Sequence, residues 1–423
     1  MDYFIPLDIW KEIFELLDFL SKIRFRQCCK FLFQNLQIFD FYNIGKNYSM
    51  KLTENILKNY KYIKYLNLSR NDNIQNINFL SNLIELNANN CELGQLGIEG
   101  LNLIKLSASG NKKIKNINFM INLQELDASS DCAIDQLGIS KLNLIKLNAL
   151  GNTNINDVSF MTNLRKLNAS WNCGIDQKGI NNLNLISLNI SCNSLINDIS
   201  LITNLKKLRS GWYCGVDQNS IQKVNLQKLD VSGNHRVNDV SHMTNLRYLN
   251  AKDSCGIDQL GIQGLNFIEL DITNNKKIKN LSSMKNLKIL KAANCGLDQS
   301  SIKNLDLISL DISGNINISD INWMTNLKEL DARENNCGLD QLGIKDLNLI
   351  KLDLSNNNKI NNISFMTGLR ELRARWNSSL DQNGIIGLNL IKLDISFNQK
   401  INNVKWMSNL KVFSAGNSSY VKF

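Results

Sequence analysis

Cysteine is the residue type whose spacing most strongly suggests chemistry in this chain. Seven of the ten cysteines recur at intervals of 40 to 42 residues: Cys91, Cys132, Cys173, Cys214, Cys255, Cys295 and Cys337. If they lie two strands apart in one sheet, they are separated by about 10 Å, beyond the Cα separation of about 4.4 to 6.8 Å that a disulfide needs. No C-x-x-C pair is present and the only histidines are His235 and His242, which disfavours a structural zinc site. The column therefore predicts free, buried thiols in a reducing compartment.

A second column consists of aspartates, each followed by glutamine: Asp135, Asp176, Asp217, Asp258, Asp298, Asp340 and Asp381. Ordered carboxylates could bind calcium, but members about 10 Å apart cannot share one ion held at about 2.4 Å. An aspartate just before a short turn can instead accept hydrogen bonds from free backbone N–H groups. The sequence therefore predicts turn caps, and no metal site.

Catalytic motifs are not found in the sequence. His235 and His242 lie seven residues apart with no nucleophile or acid at a recognisable motif spacing. There is no glycine-rich loop of a phosphate-binding type. We therefore expect a protein that is not an enzyme and that needs no cofactor.

The columns are positioned by a short repeat of the form L-x-[ILVA]-x-x-N. Its first residue, position 0 below, recurs at Leu66, Leu86, Leu106, Leu126, Leu147, Leu167, Leu188, Leu208, Leu229, Leu249, Leu270, Leu290, Leu310, Leu330, Leu352, Leu372, Leu393 and, in degenerate form, Phe413. Over 17 intervals from 66 to 413 the mean period is 20.4 residues. This period and pattern are the signature of leucine-rich repeats.

Strand alternation predicts that positions 0 and +2 face the core and that −1, +1 and +3 face solvent. Position +2 is usually Ile, Leu or Val in one type of unit and is small in a second type, as at Ile312 and Ala332. Position +5 is Asn in 12 units, which we interpret as a scaffold column that satisfies backbone groups, with ligand contact as the alternative: Asn71, Asn111, Asn152, Asn172, Asn193, Asn234, Asn275, Asn315, Asn335, Asn357, Asn377 and Asn398.

Units this short leave room only for extended chain or one 3₁₀ turn on the return path. Trp323 and Trp406 fall there, in a column with Phe79, Phe119, Phe160 and Phe365, which indicates packing rather than a binding site. The predicted fold class is an α/β repeat solenoid: a leucine-rich-repeat horseshoe with a parallel concave sheet and a mostly non-helical convex side, preceded by a small helical domain.

The first 36 residues lack the repeat. Ile9, Ile13, Leu16, Leu17 and Leu20 lie at helical spacing on one face. The only proline stands where a helix would start. Two further short helices are expected, around residues 20–27 and 29–36.

This segment resembles an F-box. The resemblance rests on Ile5-Pro6, Asp8, Ile9, Ile13, Phe14, Leu17 and Cys28-Cys29-Lys30-Phe31-Leu32, and it departs at Leu32, where the family usually has an aromatic residue. It implies docking on the Skp adaptor of cullin-RING ubiquitin ligases. The adaptor-binding residues that it implies are Pro6, Ile9, Ile13, Phe14 and Leu17. The alternative is a helical cap that closes the first repeat.

We therefore predict an F-box at residues 1–36, a transition or degenerate opening repeat at 37–65, and an array of about 18 units of 20–22 residues at 66–423. No linker rich in Gly, Ser or Pro separates these parts.

The net charge is +10, which could suit nucleic acid. Much of it comes from lysines in turns, in a chain rich in Asn, Ile and Lys, and this composition resembles proteins of AT-rich protists or their large DNA viruses. We therefore favour coding bias and do not expect a nucleic-acid partner. No apolar run of 18 residues and no secretory signal are found, so no membrane association is expected. The expected location is intracellular, in cytoplasm or nucleus, of the host cell if the chain is viral.

Together these features predict the substrate-recognition subunit of a Skp-cullin-F-box ubiquitin ligase, which binds the Skp adaptor, cullin and an unknown protein substrate. The alternative is a leucine-rich-repeat scaffold or decoy without a ligase role. Exposed Trp and basic residues on the strands predict a substrate surface for apolar and acidic or phosphorylated groups, although each Trp could merely cover a strand-end turn: Trp171, Arg209, Trp212, Lys252, Lys291, Arg333, Arg373, Arg375 and Trp376.

Overall fold

The computed structural model describes residues 6–416. Ile5 of the F-box resemblance and residues 417–423 of the predicted array lie outside this part. The chain divides into two compact units, residues 1–196 and 197–423, which are described separately. None of the helices between residues 6 and 416 is long and apolar enough to cross a membrane.

The first unit opens with three helices and continues through a short mixed segment. The elements are α1 (Leu7–Leu16), α2 (Phe19–Gln27), α3 (Lys30–Asn35), β1 (Asp40–Phe41), α4 (Lys46–Ser49) and α5 (Glu54–Lys58). Pro6 stands at the N-cap of α1, as its fixed φ favours. Asp18 caps α2 by accepting a hydrogen bond of 2.8 Å from the backbone N–H of Ser21.

Aromatic contacts join the first three helices to the segment that leads into the repeats. The ring of Phe41 packs edge-on against Phe19 and Tyr60, with centroids 4.9 Å apart in each pair. Arg26 is buried, lies 4.6 Å from the ring of Phe33 and 5.3 Å from that of Tyr60, and donates to the carbonyl of Phe33. Because β1 also pairs in parallel with the next strand, the helical segment and the first repeats form one packed body.

Each repeat start lies in a strand of three residues, which confirms the predicted repeat. In the first unit these are β2 (Tyr65–Asn67), β3 (Glu85–Asn87), β4 (Lys105–Ser107), β5 (Glu125–Asp127), β6 (Lys146–Asn148), β7 (Lys166–Asn168) and β8 (Ser187–Asn189). In the second they are β9 (Lys207–Arg209), β10 (Lys228–Asp230), β11 (Tyr248–Asn250), β12 (Glu269–Asp271), β13 (Ile289–Lys291), β14 (Ser309–Asp311), β15 (Glu329–Asp331), β16 (Lys351–Asp353), β17 (Glu371–Arg373), β18 (Lys392–Asp394) and β19 (Val412–Ser414).

Within each unit of the chain, neighbouring strands are parallel and leucine pairs with leucine, as in Leu66 with Leu86 and Leu290 with Leu310. These leucines are buried, and so are the small residues at position +2, such as Ala292. In the second unit large and small side chains alternate along this closely packed core column, as the sequence predicts, whereas in the first unit five small residues follow one another: Ala88, Ala108, Ala128, Ala149 and Ala169. The column of leucines at position 0 ends at Phe413, which is only half-buried.

The asparagine column has the predicted scaffold role in nine of the 12 units. Those nine are buried: Asn71, Asn111, Asn152, Asn193, Asn234, Asn275, Asn315, Asn357 and Asn398. The amide of Asn275 donates to the carbonyls of Ala251 and Ile257 at 2.9 and 3.0 Å and accepts from the N–H of Lys277 at 3.0 Å. One side chain thus satisfies backbone groups of two adjacent repeats.

The scaffold interpretation is wrong for Asn172, Asn335 and Asn377, which are exposed. These belong to the second type of unit, where a buried cysteine or serine one or two residues later fills the inward place: Cys173, Cys337 and Ser378. The buried column at the end of the strands therefore alternates between asparagine amides and small side chains. The sequence does not show this difference where both types of unit have Asn at position +5.

The return path of every second repeat contains one short helical turn and no longer helix, as predicted. In the first unit these 3₁₀ turns are Leu96–Ile98, Leu137–Ile139 and Lys178–Ile180; in the second they are α6 (Gln218–Ile221, an α-helical turn), Leu260–Ile262, Ser300–Ile302, Leu342–Ile344 and Asn383–Ile385. Trp323 and Trp406 lie on this side and retain 38% and 36% of their surface, and their ring N–H groups donate to the carbonyls of Leu305 and Leu388.

The aspartate column caps these turns, which confirms the capping prediction. Asp258 accepts from the N–H of Gly261 at 3.0 Å, and Asp135 and Asp381 make the same bond. Hydrogen bonds from Ser301 and Ser300 lower the pKa of Asp298 to about 2.

The glutamine after each aspartate has a role that the sequence did not reveal. Gln259 donates to the carbonyl of Asn280 and accepts from the N–H groups of Lys279 and Asn280, all at 2.8 to 3.0 Å. Its side chain therefore links one repeat to the next by hydrogen bonds.

The seven column cysteines are buried, whereas Cys28 and Cys29 are exposed, and no disulfide occurs between residues 6 and 416. Burial raises the pKa of Cys132, Cys173 and Cys255 to about 11. Because thiolate is the reactive form, the buried thiols are chemically protected.

Thiol labelling of the native chain at pH 8 should modify Cys28 and Cys29 rapidly and leave the buried column unmodified, because those thiols are both inaccessible and protonated. In denaturant without reductant, all ten cysteines should react. Counting labelled sites by mass spectrometry checks this. Fewer than ten labels in denaturant would reveal a disulfide and contradict the structure.

Candidate interaction surfaces

The first candidate surface is the outward face of α1. Ile9, Ile13 and Leu16 lie at positions i, i+4 and i+7, so they share one side of the helix. All three are exposed, and Leu16 retains 88% of its surface. Pro6 is exposed beside them, and Leu17 is half-buried. A helix that presents a row of aliphatic side chains to water is suited to packing against a partner.

The position of Phe14 does not fit the adaptor-binding role that the F-box resemblance implies for it. Its side chain is 2% exposed and packs against the ring of Phe25, 6.3 Å away, beneath the ammonium group of Lys22. It lies on the side of α1 that faces α2, so it supports the exposed face from within rather than contacting a partner.

The departure from the F-box pattern at Leu32 also has a structural basis. Leu32 is buried, whereas its neighbours Phe31 and Phe33 are exposed. A leucine therefore fills the interior place in α3, and the aromatic rings on either side retain 37% and 49% of their surface.

The second candidate surface is the outer sheet face of the second unit, formed by the side chains at positions −1, +1 and +3. A groove of about 320 Å³ runs along it from Lys291 to Ser414. The structure brings predicted residues Lys291 and Arg373 to its lining. The outer sheet face is therefore a continuous, open surface over strands β13 to β19.

Three predicted basic residues on or beside this groove already have acidic partners. Arg333 contacts Asp331 at 2.8 Å, Arg373 contacts Asp353 at 3.8 Å, and Arg375 contacts Asp394 at 3.4 Å. Burial, reinforced by the nearby charge of Asp311, raises the pKa of Asp331. The face is thus less cationic than the basic residues alone suggested.

Arg209, Lys252 and Lys291 differ from this group, because the described residues include no ion-pair partner for them. Arg209 and Lys291 line a smaller groove of about 130 Å³ together with Asp230 and Glu269. Acidic side chains therefore accompany Arg209 and Lys291 too.

The tryptophans Trp171, Trp212 and Trp376 are exposed. Trp171 belongs to the first unit and the other two to the second. Each stands at position +4, just after a strand, with a positive φ of 59°, 42° and 59° respectively. The ring of Trp212 lies over the backbone of Gly233, where an added Cβ would come within 2.6 Å of it.

Two exposed aromatic residues next to these tryptophans were missed from the sequence. Tyr213 follows Trp212 directly and retains 86% of its surface. Phe397 occupies position +4 in the unit after that of Trp376 and stacks on it. Phe397 could have been found from its repeat position, +4, which it shares with the three tryptophans. Finding it requires comparing that position across both types of unit.

Comparison with known family models identifies one domain in the chain. Residues 4–42 match the F-box domain. No curated protein sequence matches the chain. Among solved structures, a leucine-rich-repeat protein of Leptospira interrogans is 17% identical, covering 86% of this chain and 98% of its own, with a TM-score of 0.39.

Two other structures are similar at the same level. The functional domain of InlJ from Listeria monocytogenes, described as including a cysteine ladder, is 21% identical over 71% of this chain and 65% of its own, with a TM-score of 0.39. The Rad7 and Elc1 complex in yeast is 14% identical over 96% of this chain and 90% of that chain, with a TM-score of 0.33.

Proposed function

We propose that this chain, which carries an F-box domain at residues 4–42 followed by a leucine-rich-repeat solenoid, is the substrate-recognition subunit of a Skp-cullin-F-box ubiquitin ligase. F-box domains bind Skp adaptors. The observation that carries the proposal is the exposed aliphatic row Ile9, Ile13 and Leu16 within the matched F-box. In the absence of a partner, water surrounds a helix face whose composition suits a protein interface.

In this role the chain performs no bond chemistry. F-box and leucine-rich-repeat proteins are typically adaptors or receptors, and the chain would act by holding a substrate near a ubiquitin-charged enzyme that the cullin recruits. Raising the effective concentration of the two reactants accelerates transfer without a catalytic residue in the receptor. The packed joint of Phe19, Phe41 and Tyr60 would help by fixing the helices against the first repeats.

The site of action that follows is intracellular, where Skp adaptors and cullins operate. Substrate would bind on the outer sheet face, whose side chains are not needed to fill the core. In this arrangement the adaptor binds α1, the cullin binds the adaptor, and the substrate binds the repeats.

Affinity purification of the tagged full chain from cells that contain the ligase components tests the proposal. A Skp adaptor and a cullin should both be recovered, and Ile13→Lys should lose both together because the cullin is reached through the adaptor. Recovery of partner proteins without either component would instead favour a scaffold or decoy role.

A further inference from the structure

A stacked aromatic pair stands at the edge of the outer sheet face in the second unit. The ring centroids of Trp376 and Phe397 lie 4.5 Å apart, with planes inclined by 13°. The two residues retain 55% and 45% of their surface. Since stacking uses one face of each ring, a large planar apolar surface remains open to solvent.

The backbone at these two positions is unfavourable for aromatic residues. Trp376 has a φ of 59° and Phe397 a φ of 64°, in the left-handed region that favours glycine and asparagine. Glycine or asparagine does occupy the same position in other repeats, as at Gly314, Asn274 and Asn356. Bulky side chains in strained, exposed positions contribute little to the core, which points to a role in binding.

The charges beside the pair are balanced. Arg375 contacts Asp394 at 3.4 Å, and Arg373 contacts Asp353 at 3.8 Å. An acidic or phosphorylated ligand would have to displace these carboxylates, and a basic ligand would have to displace the arginines. This disfavours the acidic or phosphorylated partner that the sequence suggested, and an uncharged ligand fits the surface best.

We propose that the Trp376–Phe397 pair anchors an uncharged, apolar segment of a partner protein, which seats a proline, aromatic or branched aliphatic side chain on the open ring face. The inference deepens the proposed function, because the segment would belong to the substrate.

Selection of a random peptide library on the purified full chain, without adaptor, tests this proposal. Selected peptides should be rich in proline, aromatic and branched aliphatic residues and poor in charge. Their Kd should change less than about twofold between low and high salt, since no ion pair carries the binding. Trp376→Gly and Phe397→Gly should each weaken binding at least about tenfold.

Glycine suits both sites because it adopts a positive φ without strain, so these variants should remain folded. Glu334→Gly is the matched control: it removes a side chain at the same repeat position, with a φ of 77°, two repeats before Trp376. It should leave peptide affinity unchanged. Thermal unfolding of all three variants verifies that the fold persists.

Three outcomes would overturn the proposal. Selected peptides could be acidic, phosphorylated or basic with steep salt dependence, their binding could be indifferent to Trp376→Gly, or single-stranded oligonucleotides could bind the pair while peptides do not. Because no adaptor is present, failure here leaves adaptor binding untouched, and failure to bind adaptor leaves the peptide result standing.

Discussion

Replacing Ile13 and Leu16 together by lysine is expected to weaken Skp-adaptor binding at least about 100-fold, because buried aliphatic anchors at the centre of an interface contribute about 2 kcal/mol or more each. Both side chains are exposed in the free chain. Lysine is a good helix former and its charge suits the C-terminal end of α1, so the fold should be retained. Isothermal titration calorimetry with purified adaptor measures the change.

Lys11→Ala is the control for this double variant. Lys11 lies on the other side of α1 and its ammonium group contacts only the exposed Asp8 at 3.2 Å. Adaptor affinity should stay within about twofold of the original, since an exposed ion pair contributes little. If the lysine double variant binds as tightly as the unchanged chain, α1 is not the docking helix.

Asn275→Ala is expected to lower the free energy of unfolding by about 2 to 5 kcal/mol. The substitution leaves the carbonyls of Ala251 and Ile257 and the N–H of Lys277 without their partner in a buried column. Urea unfolding followed by circular dichroism gives the magnitude.

Asn335→Ala supplies the matched control, because Asn335 holds the same repeat position in the second type of unit and is exposed. Its effect should stay below about 0.5 kcal/mol. Equal losses of unfolding free energy for the two variants would show that burial of the asparagine side chain does not distinguish the two types of unit.

The repeat and its strands could be predicted from sequence because one physical pattern recurs in every unit. Leucine at position 0 is buried in each layer, so the period alone fixes where strands begin and which residues stack, as at Leu290 and Leu310. The helical face of α1 was predicted only in part. Spacing places Ile9, Ile13 and Leu16 together on one side, but α1 ends at Leu16, so Leu17 lies at its C-cap and Leu20 belongs to α2.

Details that depend on a neighbouring element could not be predicted. Phe14 falls within the F-box pattern, but the packing of α2 decides that it points inward. The sequence predicts that Arg375 can bind a partner, but the adjacent repeat places Asp394 beside its guanidinium group. The positive φ at Trp376 follows from the turn that ends each strand, which periodicity does not describe. The substrate surface thus depends on contacts between repeats rather than on any one repeat.

The most direct test of the central claim is binding of the purified full chain to a purified Skp adaptor–cullin complex, measured by calorimetry and by size-exclusion chromatography. We expect a 1:1 assembly with a Kd of about 1 µM or tighter, as a well-packed interface of ordinary size provides. Absence of binding at adaptor concentrations on the order of 100 µM, with the chain shown to be folded, would contradict the assignment of this chain as a ligase receptor.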